Sequence, residues 1–118
     1  MLPDERDRAS LVDMLGFARE VAAFIRGRKR EDLDFDRAFL RSLERSLELV
    51  GECARRISAG TWQAYPSVPW RDIVGMRNII AHEYGRVNLD QVWRTAHRDI
   101  PPLVAALEEI VAGLPPPR

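Results

Sequence analysis

The chain has only one cysteine, Cys53, among its 118 residues, so no disulfide can form within it. It has only two histidines, which leaves few candidates for a metal site or for proton transfer. Its longest unbroken apolar runs, residues 21–25 and 103–107, fall far short of the ~20 residues that a membrane-spanning helix needs. We therefore expect no disulfide scaffold, no membrane span, and no metal or other cofactor.

The chain also lacks an excess of either charge, because 18 basic residues balance 18 acidic ones. This balance excludes a generally basic surface, so any contact with a nucleic acid must come from a local patch. Hydrophobic residues make up 46% of the chain, which is too large a share for a disordered protein. The first residues are acidic and include no apolar stretch typical of a secretion signal, so we expect a cytoplasmic protein.

Apolar residues recur every three or four positions in two long segments, which is the pattern of amphipathic helices. The first predicted helix runs from about Asp4 to Arg26, and Gly27 is a plausible stop. Gly51 lies inside the second predicted helix, where it suggests close approach of another backbone. The apolar face of this second helix is the clearest in the chain and consists of Leu40, Leu43, Leu47, Val50, Ala54 and Ile57.

Two further helices are predicted in the second half of the chain. Pro69 suits the first turn of a third helix, because its missing N–H would be unpaired there in any case. We expect this helix to end at Gly85. Asn88 followed by Gln91 is typical of a capping box, so a fourth helix is predicted to begin near Leu89.

The remaining boundaries depend on turn residues and prolines. Residues 28–34 read as a polar loop in which Asp34 can cap the second helix, and Thr61 could cap a short turn in the long connection before Pro69. Residues 101 and 102 are both prolines. They either kink the fourth helix or begin a fifth helix with Asp99 as its cap.

These patterns predict an all-α fold. No segment alternates between apolar and polar residues with period two, so we expect no sheet. The expected architecture is an antiparallel bundle of four to five helices in a single domain over residues 1–113. Residues 114–118 are expected to form a proline-rich tail.

The residues that point to chemistry cluster at the end of the third predicted helix, where Arg77, Asn78, His82 and Tyr84 lie within eight positions. An imidazole can move protons near neutral pH, and a guanidinium can hold a phosphate and stabilise its developing charge. The pattern therefore fits RNA cleavage without a metal. Arg77 and His82 diverge by roughly 140° on a regular helix, so they converge only if the helix end distorts or if two copies meet in a dimer.

A purely structural interpretation also fits these residues. His82 near a helix C-terminus is stabilised by the helix dipole, and Arg77 could pair with Asp72 or Glu83. Spacing alone leaves both interpretations open.

Other motifs are weaker. The segment 82–86 begins like a zinc-protease helix but has Arg86 where the second histidine must stand, which argues against zinc. The basic residues within 26–30 either contact RNA phosphates or form a solvated loop. Cys53 is most simply a small buried hydrophobe, and the tryptophans Trp70 and Trp93 are most simply core or interface aromatics.

The pattern of Arg77, four residues, His82, one residue and Tyr84 resembles the RxxxxHxY motif of the HepT toxins, a branch of the HEPN superfamily of helical ribonucleases. The resemblance covers nearly the whole chain. It extends to segments 43–56, 69–78, 90–93 and 101–103.

This resemblance implies a homodimer in which two motif helices line one cleft. Arg77 and His82 would be the catalytic pair that cuts RNA, with tRNA as the implied substrate, and Asn78 would orient His82. The implied partner is a small nucleotidyltransferase antitoxin that silences the toxin by AMP transfer to Tyr84. Glu52 would be a polar residue that faces the cleft, although it could equally pair with an arginine one turn away.

The resemblance thus implies the toxin of a toxin–antitoxin pair. The alternative is a non-catalytic helical dimer that serves as an adaptor or substrate-binding partner of a nucleotidyltransferase.

Overall fold

The structure, a computed structural model, describes residues 3–82 and 88–116, and of residues 77–82 it describes the backbone alone. This part of the chain is helical and contains no strand, which confirms the predicted all-α fold. The helices are α1 (Glu5–Ile25), α2 (Asp32–Phe35), α3 (Arg37–Arg56), α4 (Ala59–Ala64), α5 (Trp70–His82), α6 (Leu89–Arg94) and α7 (Ile100–Ala112), and a π-helical segment (Thr95–Asp99) joins the last two.

Four long rods build the bundle, namely α1, α3, α5 and the continuous rod from α6 through the π segment to α7. Helix α3 packs against both α1 and α5, and α7 packs against α1. Asp7, near the start of α1, contacts Ser58, just beyond the end of α3. Arg8 donates to the carbonyl of Pro115, just beyond the end of α7. Helix α1 is therefore antiparallel to both α3 and α7.

The core lies where α1, α3 and α7 meet. Burying one such aliphatic side chain contributes about 1.5–3 kcal/mol relative to leaving it exposed. Helix α1 presents both Met14 and Leu15 to the interior, together with Val21, whereas Ala22 and Ile25 are only half-buried. The largest side chains that are almost completely buried are Leu11, Met14, Val21, Leu43, Leu47, Val50, Ile100 and Leu107.

Several predicted helix ends are confirmed. The side chain of Asp4 accepts a hydrogen bond from the backbone N–H of Asp7 at 2.8 Å and caps α1. Gly27 follows α1 with a φ of 72°, a left-handed conformation that favours glycine. Asn88 accepts from the N–H of Gln91 at 3.1 Å and caps α6 as expected. The predicted stop at Gly85 lies outside the described residues.

The first connection, between α1 and α3, differs from the prediction. Residues 28–34 are not simply a loop, because the short helix α2 begins at Asp32. Asp34 lies inside α2, so it cannot cap the next helix, and the prediction for this residue was wrong. Asp36 is the cap instead, because it leaves helical geometry with φ −104° and ψ 93° and its carboxylate accepts from the N–H of Phe39 at 3.0 Å.

The second connection, between α3 and α5, contains helix α4, which is longer than the single turn expected there. Ser58, and not Thr61, is its N-cap, because the side chain of Ser58 accepts from the N–H of Thr61 at 3.4 Å. The predicted Thr61 cap was wrong because this hydroxyl donates to the buried carboxylate of Asp7 at 2.6 Å.

The proline pair at residues 101–102 neither ends the rod nor begins a separately capped helix. Helix α7 begins at Ile100, so Asp99 occupies the predicted N-cap position, but it has helical φ and ψ and its side chain makes no capping hydrogen bond. The wider π turn of residues 95–99 ends one residue before the prolines. Because prolines cannot donate to the preceding turn, a local change of hydrogen-bond pattern lets the rod continue through them.

Two stacked tryptophans fasten the second connection to the bundle. The rings of Trp62 and Trp70 are nearly parallel, with centroids 6.0 Å apart. The indole N–H of Trp62 donates to the carbonyl of Ala54, and that of Trp70 donates to the carbonyl of Tyr65. Trp70 is buried, as expected of a core aromatic.

Just beyond α7, Leu114 packs against the core. Within the described residues, no helix is both long enough and apolar enough to cross a membrane.

Candidate active site

Helix α5 carries three of the predicted site residues, and its first turn sets its position in the bundle. Pro69 directly precedes the helix, and its carbonyl accepts from the N–H of Ile73 at 3.1 Å. The helix therefore begins at Trp70, and Pro69 directly precedes the first turn in which it was expected. The buried side chains of Trp70 and Ile73 belong to the core and hold α5 against α3.

The backbone of α5 is helical as far as His82. At 3.6 residues per turn, positions 77 and 82 lie roughly 140° apart around the axis, whereas positions 78 and 82 lie on one face. The side chains of Arg77, Asn78 and His82 and the whole of Tyr84 lie outside the described residues. The roles predicted for these four residues stay predictions.

Glu52 lies on α3, the helix against which α5 packs. Its carboxylate accepts a hydrogen bond from Arg55 at 2.8 Å and forms an ion pair with Arg56 at 3.4 Å. The expected pairing with an arginine one turn away is thus observed. Its predicted place beside the cleft stays a prediction.

Two of the four cations in the basic segment 26–30 bind carboxylates of this chain. The guanidinium of Arg28 lies 2.7 Å from the carboxylate of Asp36, the cap of α3. The guanidinium of Arg30 lies 2.6 Å from the carboxylate of Asp90 on α6. These contacts tie the first connection to α3 and α6, so the structural interpretation of this segment is favoured over an RNA-binding one.

Cys53 is buried on α3, as predicted. Burial, assisted by the negative charge of Asp13, raises the pKa of its thiol to about 11. A thiol with such a pKa is almost entirely protonated at neutral pH, so Cys53 is neither a nucleophile nor a ready metal ligand.

A groove of about 660 Å³ separates the first half of α5 from the rod that contains the π segment. We call it the α5–π groove. Buried Ile73, Ile100 and Leu103 contribute its apolar walls, and buried Thr95 lines it as well. The groove reaches Met76, which directly precedes the first motif residue.

Sequence reasoning missed this groove. The proline pair indicated a disturbance of the fourth helix, but not that the π turn would bring polar side chains beside α5. In the described parts of the chain, no group of three or more histidine, cysteine or acidic side chains could hold a metal ion.

The fold and the position of the motif define an all-helical bundle of the kind expected of a helical ribonuclease. The sequence matches the family model described as "Ribonuclease HepT-like" over residues 14–110. The chain belongs to this family and is a ribonuclease.

Individual relatives agree with this assignment. A protein of Methanocaldococcus jannaschii named as a putative RNase is 28% identical over 96% of this chain and 97% of its own length. A protein of Caldanaerobacter subterraneus, also named as a putative RNase, is 34% identical over 74% of this chain and 78% of its own length. A probable ribonuclease HepT of Thermococcus cleftensis is 31% identical over 68% of this chain and 73% of its own length. No solved structure matches the chain.

Proposed function

We propose that this ribonuclease is the toxin of a toxin–antitoxin pair and cuts RNA, with tRNA as substrate, in the cytoplasm. The observation that carries the proposal is the family match over residues 14–110, which includes the whole Arg77 to Tyr84 motif. Arg77 holds the scissile phosphate and His82 moves protons, while Asn78 orients His82.

The proposed chemistry uses the nucleophile that RNA carries itself. The 2′-oxygen bonds to phosphorus as the bond from phosphorus to the 5′-oxygen breaks. A neutral imidazole takes the proton from the 2′-hydroxyl, and a protonated imidazole gives one to the leaving 5′-oxygen. Arg77 stabilises the negative charge that develops on the phosphoryl oxygens. The products carry a 2′,3′-cyclic phosphate and a 5′-hydroxyl, and no metal takes part.

The proposed enzyme is a homodimer. Because α5 is helical through residue 82, one copy of the helix holds positions 77 and 82 on different sides of its axis. Two copies related by a twofold axis can bring Arg77 of one and His82 of the other to the same phosphate. A twofold cleft also provides two imidazoles, one for each proton transfer.

Control is proposed to act at Tyr84. A small nucleotidyltransferase antitoxin transfers AMP from ATP to the phenol oxygen, and pyrophosphate leaves. The attached nucleotide places a phosphate beside the cleft. The added negative charge competes with RNA for Arg77, and the nucleotide occupies space that RNA needs.

The experiment is to express the chain alone, with and without His82→Ala, and to map the ends of cellular RNA. Expression of the parent chain should arrest growth and produce RNA with new 5′-hydroxyl ends, and expression of His82→Ala should do neither. The purified parent should still cleave RNA in EDTA. His97→Ala, which removes the other histidine from an exposed position outside the α5–π groove, is the matched control for helical content.

Harmless expression and unchanged RNA with the parent chain would favour the non-catalytic adaptor instead. Cleavage by His82→Ala at the rate of the parent would overturn the catalytic assignment.

A further inference from the structure

The α5–π groove contains polar groups that the fold itself does not use. Thr95 is only 8% exposed, yet its hydroxyl makes no hydrogen bond with any described residue. A helical threonine commonly donates to the carbonyl one turn earlier, and this one does not. No fully buried polar side-chain atom in the described part of the chain lacks a partner, so this hydroxyl is accessible from the groove.

Charged side chains line the same groove. Arg71 on α5 and Arg98 in the π segment are exposed and form no ion pair within the described part of the chain. Asp72 and Asp99 also line the groove without a described ion pair. Donors and acceptors therefore surround an apolar interior. This is unlike residues 28–36, where arginines and aspartates neutralise one another.

Gly75 marks the side of α5 that faces the groove. A Cβ atom at this position would meet nothing within 4 Å, so the space in front of it is open. Position 82 lies seven residues further along the same helix and about 10 Å away along the axis. On a regular helix, positions 71, 75, 78 and 82 lie along one side. The groove therefore continues the side of α5 on which positions 78 and 82 lie.

We propose that the α5–π groove binds the base of an RNA nucleotide next to the scissile bond, which rests on the proposed ribonuclease site. A base has apolar faces that match the walls of the groove and a polar edge that matches the Thr95 hydroxyl. The guanidinium groups of Arg71 and Arg98 neutralise the adjoining phosphates. Carboxylates such as Asp99 accept from the amino group of cytosine, so the groove selects an amino-bearing base over uracil.

The test measures binding separately from cleavage. All variants are made in the His82→Ala chain, and fluorescence anisotropy gives the Kd for labelled ten-residue oligocytidylate and oligouridylate. Gly75→Leu fills the groove without a clash at Cβ. Gly16→Leu is the matched control, because Gly16 lies in the exposed part of α1 and also has open space before it. Thr95→Val removes the hydroxyl and nearly keeps the shape of the side chain.

We expect Gly75→Leu to raise the Kd for oligocytidylate at least tenfold, and Thr95→Val to raise it roughly fivefold, as for one lost hydrogen bond. Gly16→Leu leaves the Kd unchanged. The His82→Ala chain without a further substitution binds oligouridylate more weakly than oligocytidylate. Light scattering gives the same mass for all variants.

An unchanged Kd with Gly75→Leu would overturn the base-binding assignment. Equal affinity of the His82→Ala chain for the two oligonucleotides would overturn it as well. A changed mass with Gly75→Leu and unchanged RNA affinity would show that the groove holds a protein and not RNA. Cleavage by the parent chain is scored separately, so a failed ribonuclease proposal and a failed groove proposal give different results.

Discussion

The carboxylate of Asp7 accepts a hydrogen bond from the hydroxyl of Thr61 at 2.6 Å, although 54 residues separate the two in the chain. Asp7 also accepts from the N–H of Ser58 at 3.0 Å. Asp7 is 2% exposed and Thr61 is 5% exposed. Burial by itself would raise the pKa of Asp7, but the hydrogen bonds from Ser58 and Thr61 outweigh it and lower the pKa below its ordinary value.

This network predicts a loss of stability in acid. Because the pKa of Asp7 is lower in the folded chain than in the unfolded one, its stabilisation is complete above the unfolded value, near pH 4, and is lost as pH falls through the folded value. Asp7→Asn should lower the free energy of unfolding by about 2 kcal/mol at pH 7. Urea titrations between pH 2.5 and 7 should show this difference shrinking toward acid.

The control for this test is Asp13→Asn on the exposed side of α1, which should change stability by less than about 0.5 kcal/mol. An equal loss in both variants would mean that net charge and not the Asp7 network sets the acid response.

The prediction for the hydrophobic core concerns Leu47, which is fully buried on α3. Leu47→Ala should lower the free energy of unfolding by about 2–5 kcal/mol, because the removed atoms leave a cavity. Leu40→Ala, on the same helix but half-buried, should cost clearly less. Denaturant unfolding followed by circular dichroism measures both values. Similar losses would place Leu47 outside the tightly packed core.

The thiol of Cys53 should react only slowly in the native protein. Its burial and its pKa of about 11 leave very little thiolate at pH 8. Labelling with an aromatic disulfide reagent should therefore be slow in buffer and fast in urea, as measured by absorbance. Immediate stoichiometric labelling of the folded chain would contradict the described burial.

The prediction for Tyr84 separates catalysis from control. Tyr84→Phe keeps the ring and removes the hydroxyl that would receive AMP, so this variant should cleave RNA and escape the nucleotidyltransferase. Intact-mass measurement after co-expression should show AMP adducts on the parent and none on Tyr84→Phe. An adduct that persists on the variant would place the modification elsewhere.

The dimer prediction follows from the positions of residues 77 and 82 on different sides of α5. Light scattering at micromolar concentration should give the mass of two chains. Mixing inactive Arg77→Ala and His82→Ala chains should restore part of the activity, because one mixed cleft contains an intact arginine and an intact histidine. A monomer would reject the composite cleft. A stable mixed dimer without any activity would mean that both imidazoles of the cleft are required.

Local patterns in the sequence were sufficient for the all-α class, the long helices, the start of α1 near Asp4 and the cap at Asn88. Helix periodicity and capping depend on residues a few positions apart, so a single chain displays them directly. The same kind of spacing identified the Arg77 to Tyr84 motif and, with it, the family.

Only the tertiary structure decided which of several equivalent polar residues performs which task. Thr61 is a plausible cap in the sequence, but the approach of Asp7 from α1 takes its hydroxyl and leaves the cap to Ser58. Arg28 and Arg30 read as an exposed basic patch until folding places Asp36 and Asp90 beside them. The α5–π groove likewise exists only when two rods pack, because contacts between residues distant in the chain depend on three-dimensional packing that local patterns do not encode.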